Sequence, residues 1–453
     1  VNRIALIGSA VLYFIVAAAR WMNLEWYVLP AWLLAYFQFD AIGLYFFSVM
    51  TLVFGSAAVY SLFYFKEHAL SVKQEAVYIV EILLFVVSMS GVILSTHLAL
   101  LWVFIEASTL TSALLIYFEK KKSSLEAAWK YVFICSIGIA LAFVGIIVLS
   151  IGSRHIDSLF FRDLYARASE INPFWLKVSF AFIFVGLGTK IGVAPIHAWL
   201  PDAHSEAPSP VSALLSGALL NSAFLGLLRV QEIFIQAKLD SFSNFLFLIT
   251  GFLSLMVSAV FMLRLKNYKR MLAYSSIENM GILFIGIALG KYGIYAALLH
   301  TLAHSLSKAS LFLTSGNILH LYKSKKIEDI NGLLQTDPRT GWLWILSMIA
   351  IIGFPPFPVF ISKFLILRAF WQDGMPWLAL PFLLLLVVIM YGMGSTVFKM
   401  TLSELPVSNL GNKKLNLSAY VPQIVLLLIL CVIGMDMPKQ VCELLNTAAG
   451  FLY

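Results

Sequence analysis

Charge is scarce in this chain. Of its 453 residues only 12% are Asp, Glu, Lys or Arg, and 61% are hydrophobic. No soluble domain hides that much apolar surface, so a soluble enzyme is excluded. Cysteine is scarcer still: Cys135, Cys431 and Cys442 are scattered and form no CxxC, which leaves no evident iron–sulfur or zinc site on the chain. Long polar stretches are also missing. The two longest, near 151–172 and 321–340, are too short for a core, so no soluble domain is interposed. There is no haem or flavin motif and no nucleotide-binding loop, and hence no redox chemistry of the chain's own. The first apolar segment, Ile4 to Ala19, lacks a small-residue cleavage pattern and reads as a retained span rather than a signal peptide.

What is present is apolar sequence in pieces near bilayer length. Hydropathy predicts an all-α polytopic membrane protein with about 13 spans, at 4–19, 41–65, 76–95, 97–118, 127–150, 174–199, 208–229, 243–263, 270–290, 292–320, 342–370, 377–400 and 418–437. Residues 24–40 read as an amphipathic connector, and 297–319 as a span of unusual polarity. The net charge of +8 fits membrane topology better than nucleic-acid binding. Sorting by alternate side puts Arg3, Lys66, Lys73, the runs 120–122, 264–270 and 323–326, Arg339, Lys399, Lys413 and Lys414 on one face. Fewer cations, among them Arg20, Arg154, Arg229 and Arg368, fall on the other. The richer face is the cytoplasmic one by this rule, which makes the N-terminus cytoplasmic. Lys177 and His320, near span ends, read as interfacial.

Two spans are interrupted at corresponding places. Pro195 breaks the one that carries Lys190, and Pro355, Pro356 and Pro358 break the one that carries Lys363. Paired interruptions are the sequence sign of a transporter-type repeat, although two unrelated proline kinks would look the same. The expected organisation is therefore N-terminal spans (1–75), two inverted five-helix repeats (76–229 and 243–400), each with a broken helix, and a C-terminal span (401–453). An odd number of spans per unit inverts the second relative to the first.

Lys190 follows an almost wholly apolar run. A charge at bilayer depth costs roughly 2.5–3.5 kcal/mol on insertion scales and usually marks an ion or proton path. His300, His304 and Lys308 are spaced by four and share a helix face. Histidine titrates near neutral pH and passes protons at either ring nitrogen, so a proton wire is one reading. Passive hydrogen bonding is another, and a metal pair is a third that lacks a nearby further ligand. His197, Asp202, His204 and Glu206 surround the first break and are candidates for a proton entrance, with helix capping the competing role for Asp202.

These residues lie in segments that carry a resemblance. GLGTKIGVAPIHAWLPDAHSEAPSPVSALLSG (186–217) resembles the antiporter-like subunits of complex I and of Mrp-type cation/proton antiporters. WLPDAHSEAPSPVSALLSG within it is most similar to the large membrane subunit of group 4 [NiFe]-hydrogenases, of the hydrogenase-4 and formate hydrogenlyase type. The resemblance continues through YFQFDAIGLYFF (36–47), FIEASTLTSALLIYF (104–118), EAAWKY (126–131), YKRMLAYSSIENMG (268–281), LLHTLAHSLSKASLFLTSG (298–316) and GFPPFPVFISKF (353–364), and so covers most of the chain.

The resemblance implies a proton relay through Glu106, Lys190, His300, His304, Lys308 and Lys363, with Glu278 and Lys130 as further members. Glu106 and Lys190 are expected to form a switchable pair, a static buried ion pair being the bland alternative. Lys363 and Lys130 have snorkelling to an interface as their bland alternative. Asn221 stands where relatives carry a lysine, which interrupts the usual lysine relay. The family pattern has one N-terminal span more than this chain, so such a span is expected to be missing here. The lack of a long lateral C-terminal helix argues against the most distal antiporter subunit of complex I.

The function implied is a proton-translocating, or Na⁺/H⁺, antiporter-like membrane subunit of an energy-converting redox complex, a membrane-bound hydrogenase first. An Mrp-type Na⁺/H⁺ antiporter subunit and a core membrane subunit of complex I (NADH–quinone oxidoreductase) are the alternatives, with a non-conducting scaffold as the reading from another class. The chain carries no cofactor. Its expected partners are other membrane subunits and a peripheral hydrogenase or NADH-oxidising module that holds iron–sulfur clusters and, for a hydrogenase, nickel–iron. A prokaryotic cytoplasmic membrane is the expected location.

Overall fold

The computed structural model describes residues 2–24, 30–156, 158–404 and 415–452; part of the 24–40 connector, and Lys413 and Lys414, lie outside the described residues. In chain order the helices are α1 (Asn2–Trp21), α2 (Ala31–Tyr36), α3 (Ala41–Glu67), α4 (Val72–Leu94), α5 (Leu98–Ile116), α6 (Lys122–Gly152), α7 (Phe161–Ala166), α8 (Pro173–Ile191), α9 (Trp199–Glu206) and α10 (Ser209–Leu214). They continue as α11 (Leu220–Gln236), α12 (Asp240–Met262), α13 (Tyr268–Ala288), α14 (Ile294–Tyr322), α15 (Leu333–Thr336), α16 (Pro338–Ile352), α17 (Pro358–Gln372), α18 (Ala379–Leu402), α19 (Val421–Met435) and α20 (Lys439–Gly450). Among the described residues there is no strand, only isolated bridges such as Asn267 with Lys326.

Among the described residues ten helices are both long and apolar enough to cross a bilayer, or eleven if the bent pair α19–α20 counts as one span. The sequence reading of about 13 exceeds this for identifiable reasons. The expected span 292–320 is one helix, α14, long enough to cross but laden with His, Ser, Thr and Lys. The expected span 342–370 is two shorter helices, α16 and α17. The chain is an integral membrane protein, with large apolar side chains such as Phe133, Phe364 and Leu384 facing outward.

Both expected breaks are present, but the prolines do not start them. α8 ends at Ile191 on Gly192, whose φ of +77° is left-handed, and α16 ends at Ile352 on Gly353 at φ +93°. A left-handed glycine is the usual way to stop a helix and release its last carbonyls. A side chain at Gly192 would also collide with Leu200, whose Cδ1 occupies the space a Cβ would need. Pro195 lies inside the resulting loop. Pro358 starts α17 instead of breaking anything, at a position where a missing N–H costs nothing.

Polar caps fix the helix starts. Asp40 accepts from the Gly43 N–H, Asn172 from Phe174 and Trp175, and Asn267 from Lys269 and Arg270. Small residues let α6 and α8 approach: Gly186 lies against Ala142 and the Gly138 carbonyl, and Ser179 donates to the Gly145 carbonyl at 2.7 Å. The same device joins α12 to α13 through Gly251, Gly281 and Ser254.

The innermost helices are the polar ones. α10–α11, α13 and α14 are buried along almost their whole length, whereas α1, α12 and α18 lie at the periphery. Lys121, Lys269, Lys323, Lys325 and Lys326 line one cavity of about 460 Å³, so the three basic runs do share a face. On the opposite face Arg229, buried in the middle of α11, pairs with Asp40 at 2.7 Å and donates to the Ile93 carbonyl.

Candidate functional site

A line of buried polar side chains runs through these inner helices. Lys190 occupies the last turn of α8 and is wholly buried. Its Nζ donates to Thr109 Oγ1 at 2.8 Å and to the Tyr131 hydroxyl at 2.6 Å, and that hydroxyl also bonds Ser112 at 2.6 Å. Tyr131 lies roughly 14 Å along α6 from the basic face, at about 1.5 Å rise per residue, which puts this lysine well inside the membrane.

The Glu106–Lys190 ion pair expected from sequence is not a direct contact. Glu106 instead accepts from Ser136 at 2.7 Å, and its Oε2 is buried without a partner among the described residues. Thr109, one turn along α5, stands where the carboxylate would otherwise meet the amine. The two groups still interact through space.

The second broken helix holds a true ion pair. Lys363 Nζ lies 3.2 Å from Glu278 Oε1, with side-chain exposures of 11% and 5%, and donates to the Ile352 carbonyl at 3.0 Å. Lys363 is thus turned into the protein, not snorkelling outward. Ile352 is the last residue of α16, so both lysines sit at the C-terminal end of an incoming half-helix. The free carbonyls and the dipole there favour a cation.

α14 joins the two regions. Lys308 is at its midpoint, wholly buried, and donates to the Leu272 carbonyl of α13 at 2.7 Å. His300 bridges two helices, its Nε2 to Asn279 at 2.9 Å and its Nδ1 to Ser362 at 2.8 Å. Asn279 and Ser362 are the chain neighbours of Glu278 and Lys363, so His300 touches the ion pair's own supports. His304, between His300 and Lys308, has no partner for either ring nitrogen among the described residues.

Asn221 donates to Ser305 at 2.6 Å and to the Gly217 carbonyl at 2.8 Å. Asn221 thus ties α11 to α14 through a neutral amide. Among the described residues no group of three or more His, Cys, Asp or Glu side chains is placed to hold a metal.

The candidate entrance residues do not form one cluster. Asp202 pairs with Arg270 and, at 3.3 Å, with Lys130; it makes no cap. Lys130 also pairs with Glu126 at 2.6 Å and is 48% exposed, which places it in a surface network. His197 is half-buried near Tyr274. Glu206 accepts from Ser123 at 2.7 Å and pairs with Lys325 at 3.1 Å. Burial pushes its carboxyl up, but Ser123 and Lys325 outweigh this and hold it below the usual carboxylate range. His204 is fully buried and stacks on Phe312 at 4.6 Å.

Sequence reasoning missed Thr109, Tyr131, Asn279 and Ser362. Each is a neutral residue with no charge to mark it, and only its helical offset from Glu106, Lys130, Glu278 or Lys363 pointed to it. It also counted Lys269 as a face cation, whereas the side chain is 1% exposed and donates to the Ala207 carbonyl at 2.9 Å.

A family model described as "NADH:quinone oxidoreductase/Mrp antiporter, TM" matches residues 95–390. The "Hydrogenase-4 component F homolog" of Methylacidiphilum infernorum is 36% identical over 281 residues, 61% of this chain and 59% of that protein. "Hydrogenase-4 component B" of Escherichia coli is 28% identical over 339 residues, 72% of this chain and 49% of that one. The chain therefore spans only about half to three fifths of these curated relatives. In fold it superimposes with a TM-score of 0.87, at 23% identity, on a chain from the structure of "the membrane-bound sulfane sulfur reductase (MBS), an archaeal respiratory membrane complex", covering 99% of this chain and 92% of that one.

Proposed function

Because the chain belongs to the NADH:quinone oxidoreductase/Mrp antiporter transmembrane family, we propose that it is the proton-translocating membrane subunit of an energy-converting redox complex, a membrane-bound hydrogenase foremost. The observation that carries this is the buried polar line: Lys190 on Tyr131, Lys308 at the centre of α14, and His300 leading to the Glu278–Lys363 pair. Lysines at such depth are costly to keep for packing alone. A lysine that is loaded or emptied according to a nearby carboxylate passes one proton per cycle.

The reading takes the two broken helices as the centres of two inverted half-channels, 76–229 and 243–400, in a 13-span bundle. Lys190 serves the first and Lys363 the second, and α14 links them. The hydrogenase assignment is supported by the hydrogenase-4 names of two relatives. Electron transfer would then belong to partner subunits that hold iron–sulfur clusters and nickel–iron. The excess of lysine and arginine on one face supports a cytoplasmic N-terminus in a prokaryotic cytoplasmic membrane.

The test is Lys308→Met in the assembled complex, with proton translocation followed in everted membrane vesicles. Translocation is expected to stop while assembly persists. Undiminished translocation would sink the reading.

A further inference from the structure

His204 has no part in the relay just described, yet the fold surrounds it with that relay's components. It projects from α9, the short helix after the first break, into the protein interior. Its ring is 0% exposed and lies flat on Phe312, one turn beyond Lys308 on α14. Neither ring nitrogen has a hydrogen-bond partner among the described residues. A buried imidazole with both nitrogens unbonded is costly, and buried polar groups are ordinarily satisfied by protein or by water.

Lys308 and Lys269 both lie within electrostatic range of the ring, and His304 is in turn within range of His204. Lys269 lines the cavity of about 460 Å³ on the basic face, together with Glu119, Lys325 and Ser209. Ser209 Oγ is another buried polar atom with no partner among the described residues. The Lys269 amine is held against the Ala207 carbonyl at 2.9 Å, in the short link between α9 and α10. Lys269 thus lines a polar cavity on the basic face and holds the link that follows His204, whose ring lies on Phe312, one turn from the central lysine.

We propose that the cavity is a proton inlet leading through Lys269 and His204 directly to Lys308 at the centre of the membrane, bypassing Lys190. The Lys269 ammonium gives one proton to one His204 ring nitrogen. The other ring nitrogen then releases a proton to the neutral amine of Lys308. Each hand-off, direct or over a bridging water, moves one proton and one positive charge, so Lys308 must be empty to receive it. Imidazole suits this position because its two nitrogens accept and donate on opposite sides of one ring. The inlet rests on reading the chain as a proton conductor, and it names the residues through which the basic face supplies the central axis.

The experiment measures proton translocation in everted vesicles, per assembled complex, for His204→Gln, His204→Ala and Lys363→Ala. His204→Gln keeps the size and polarity of the side chain but cannot carry a proton, and a loss of at least tenfold is expected. His204→Ala should lose as much and should regain translocation when imidazole is added on the face that bears the cavity. A purely structural histidine would show no such rescue. Wild-type translocation in His204→Gln overturns the inlet, and so does a defective but assembled His204→Ala that imidazole leaves unchanged. If His204→Ala does not assemble, the Gln variant alone decides. Lys363→Ala separates the two levels of inference. Its failure alongside normal His204 variants removes the inlet only, whereas normal translocation in all three removes the proton-conducting reading itself.

Discussion

The Glu278–Lys363 pair allows a static ion pair to be told from a working one. At 3.2 Å and an effective dielectric constant near 20, the two charges attract by about 5 kcal/mol. Removing one partner leaves the other buried and uncompensated, at a cost of about 3–5 kcal/mol. Lys363→Met and Glu278→Gln should therefore each destabilise the chain by about that much. The double variant should lose no more than the worse single, a coupling at least as large as the smaller single loss, about 3–5 kcal/mol. Unfolding in mixed detergent micelles measures stability, and translocation in everted vesicles measures function. If the pair is a relay, stability returns in the double variant and translocation does not, because no group remains to load. Additive losses of stability would show that the pair is not coupled. Translocation in the double variant would show that it only packs helices.

Cysteines at Lys121 and Lys325 should react alike with a membrane-impermeant reagent from one side, and labelling from opposite faces would overturn the shared basic cavity. Glu106→Gln and Lys190→Ala should each reduce translocation, with the double variant little worse than the poorer single if the two act as one unit; fully multiplicative losses would mean independent steps. Their coupling should be smaller than that of Glu278 with Lys363, since Thr109 and Ser136 stand in for direct contact. Arg229→Leu should cost about 1.5–3 kcal/mol of stability through its lost charged hydrogen bonds, less than a fully buried pair because the Asp40 left behind is 36% exposed and can be solvated; a variant as stable as wild type in the same micelle assay would show that the clamp contributes nothing, and the protein that assembles should still translocate protons.

The membrane class, the charged relay candidates and the existence of both breaks were legible in the sequence because each departs sharply from an apolar background. Lys190, Lys308 and Lys363 stood out as costly charges, and the fold buries all three. What was not legible is which neutral group each one touches. The choice between Glu106 and Tyr131 as the partner of Lys190 depends on how α5 and α6 rotate against α8, which periodicity does not set. The break positions were misjudged for a related reason: proline is the conspicuous residue, but a left-handed glycine does the stopping. His204 and Asp202 looked equivalent by spacing. One turns inward onto Phe312 and the other outward to Arg270 and Lys130, because α9 is short and packs between α6 and α13.

The helix between 209 and 236 is not evenly wound. Residues Leu215–Leu219 form a π turn, with the Leu220 N–H reaching back to the Leu215 carbonyl. Such a turn holds one residue more than an α-helix of the same length, and one residue is about 100° of rotation. The segment carrying Ser209 is therefore phased differently from the segment carrying Arg229 and Glu232, and a single helical wheel drawn through both misassigns the faces of one. Ser216 pins the turn to Ser276 on one neighbour, and Asn221 pins it to Ser305 on another. Deleting any one residue between 215 and 219 would let an even α-helix run through both segments with the faces they already present, whereas deleting a residue beside the wide turn while the turn is kept would swing the Ser209 end by about a quarter turn, out of the basic cavity that it now lines.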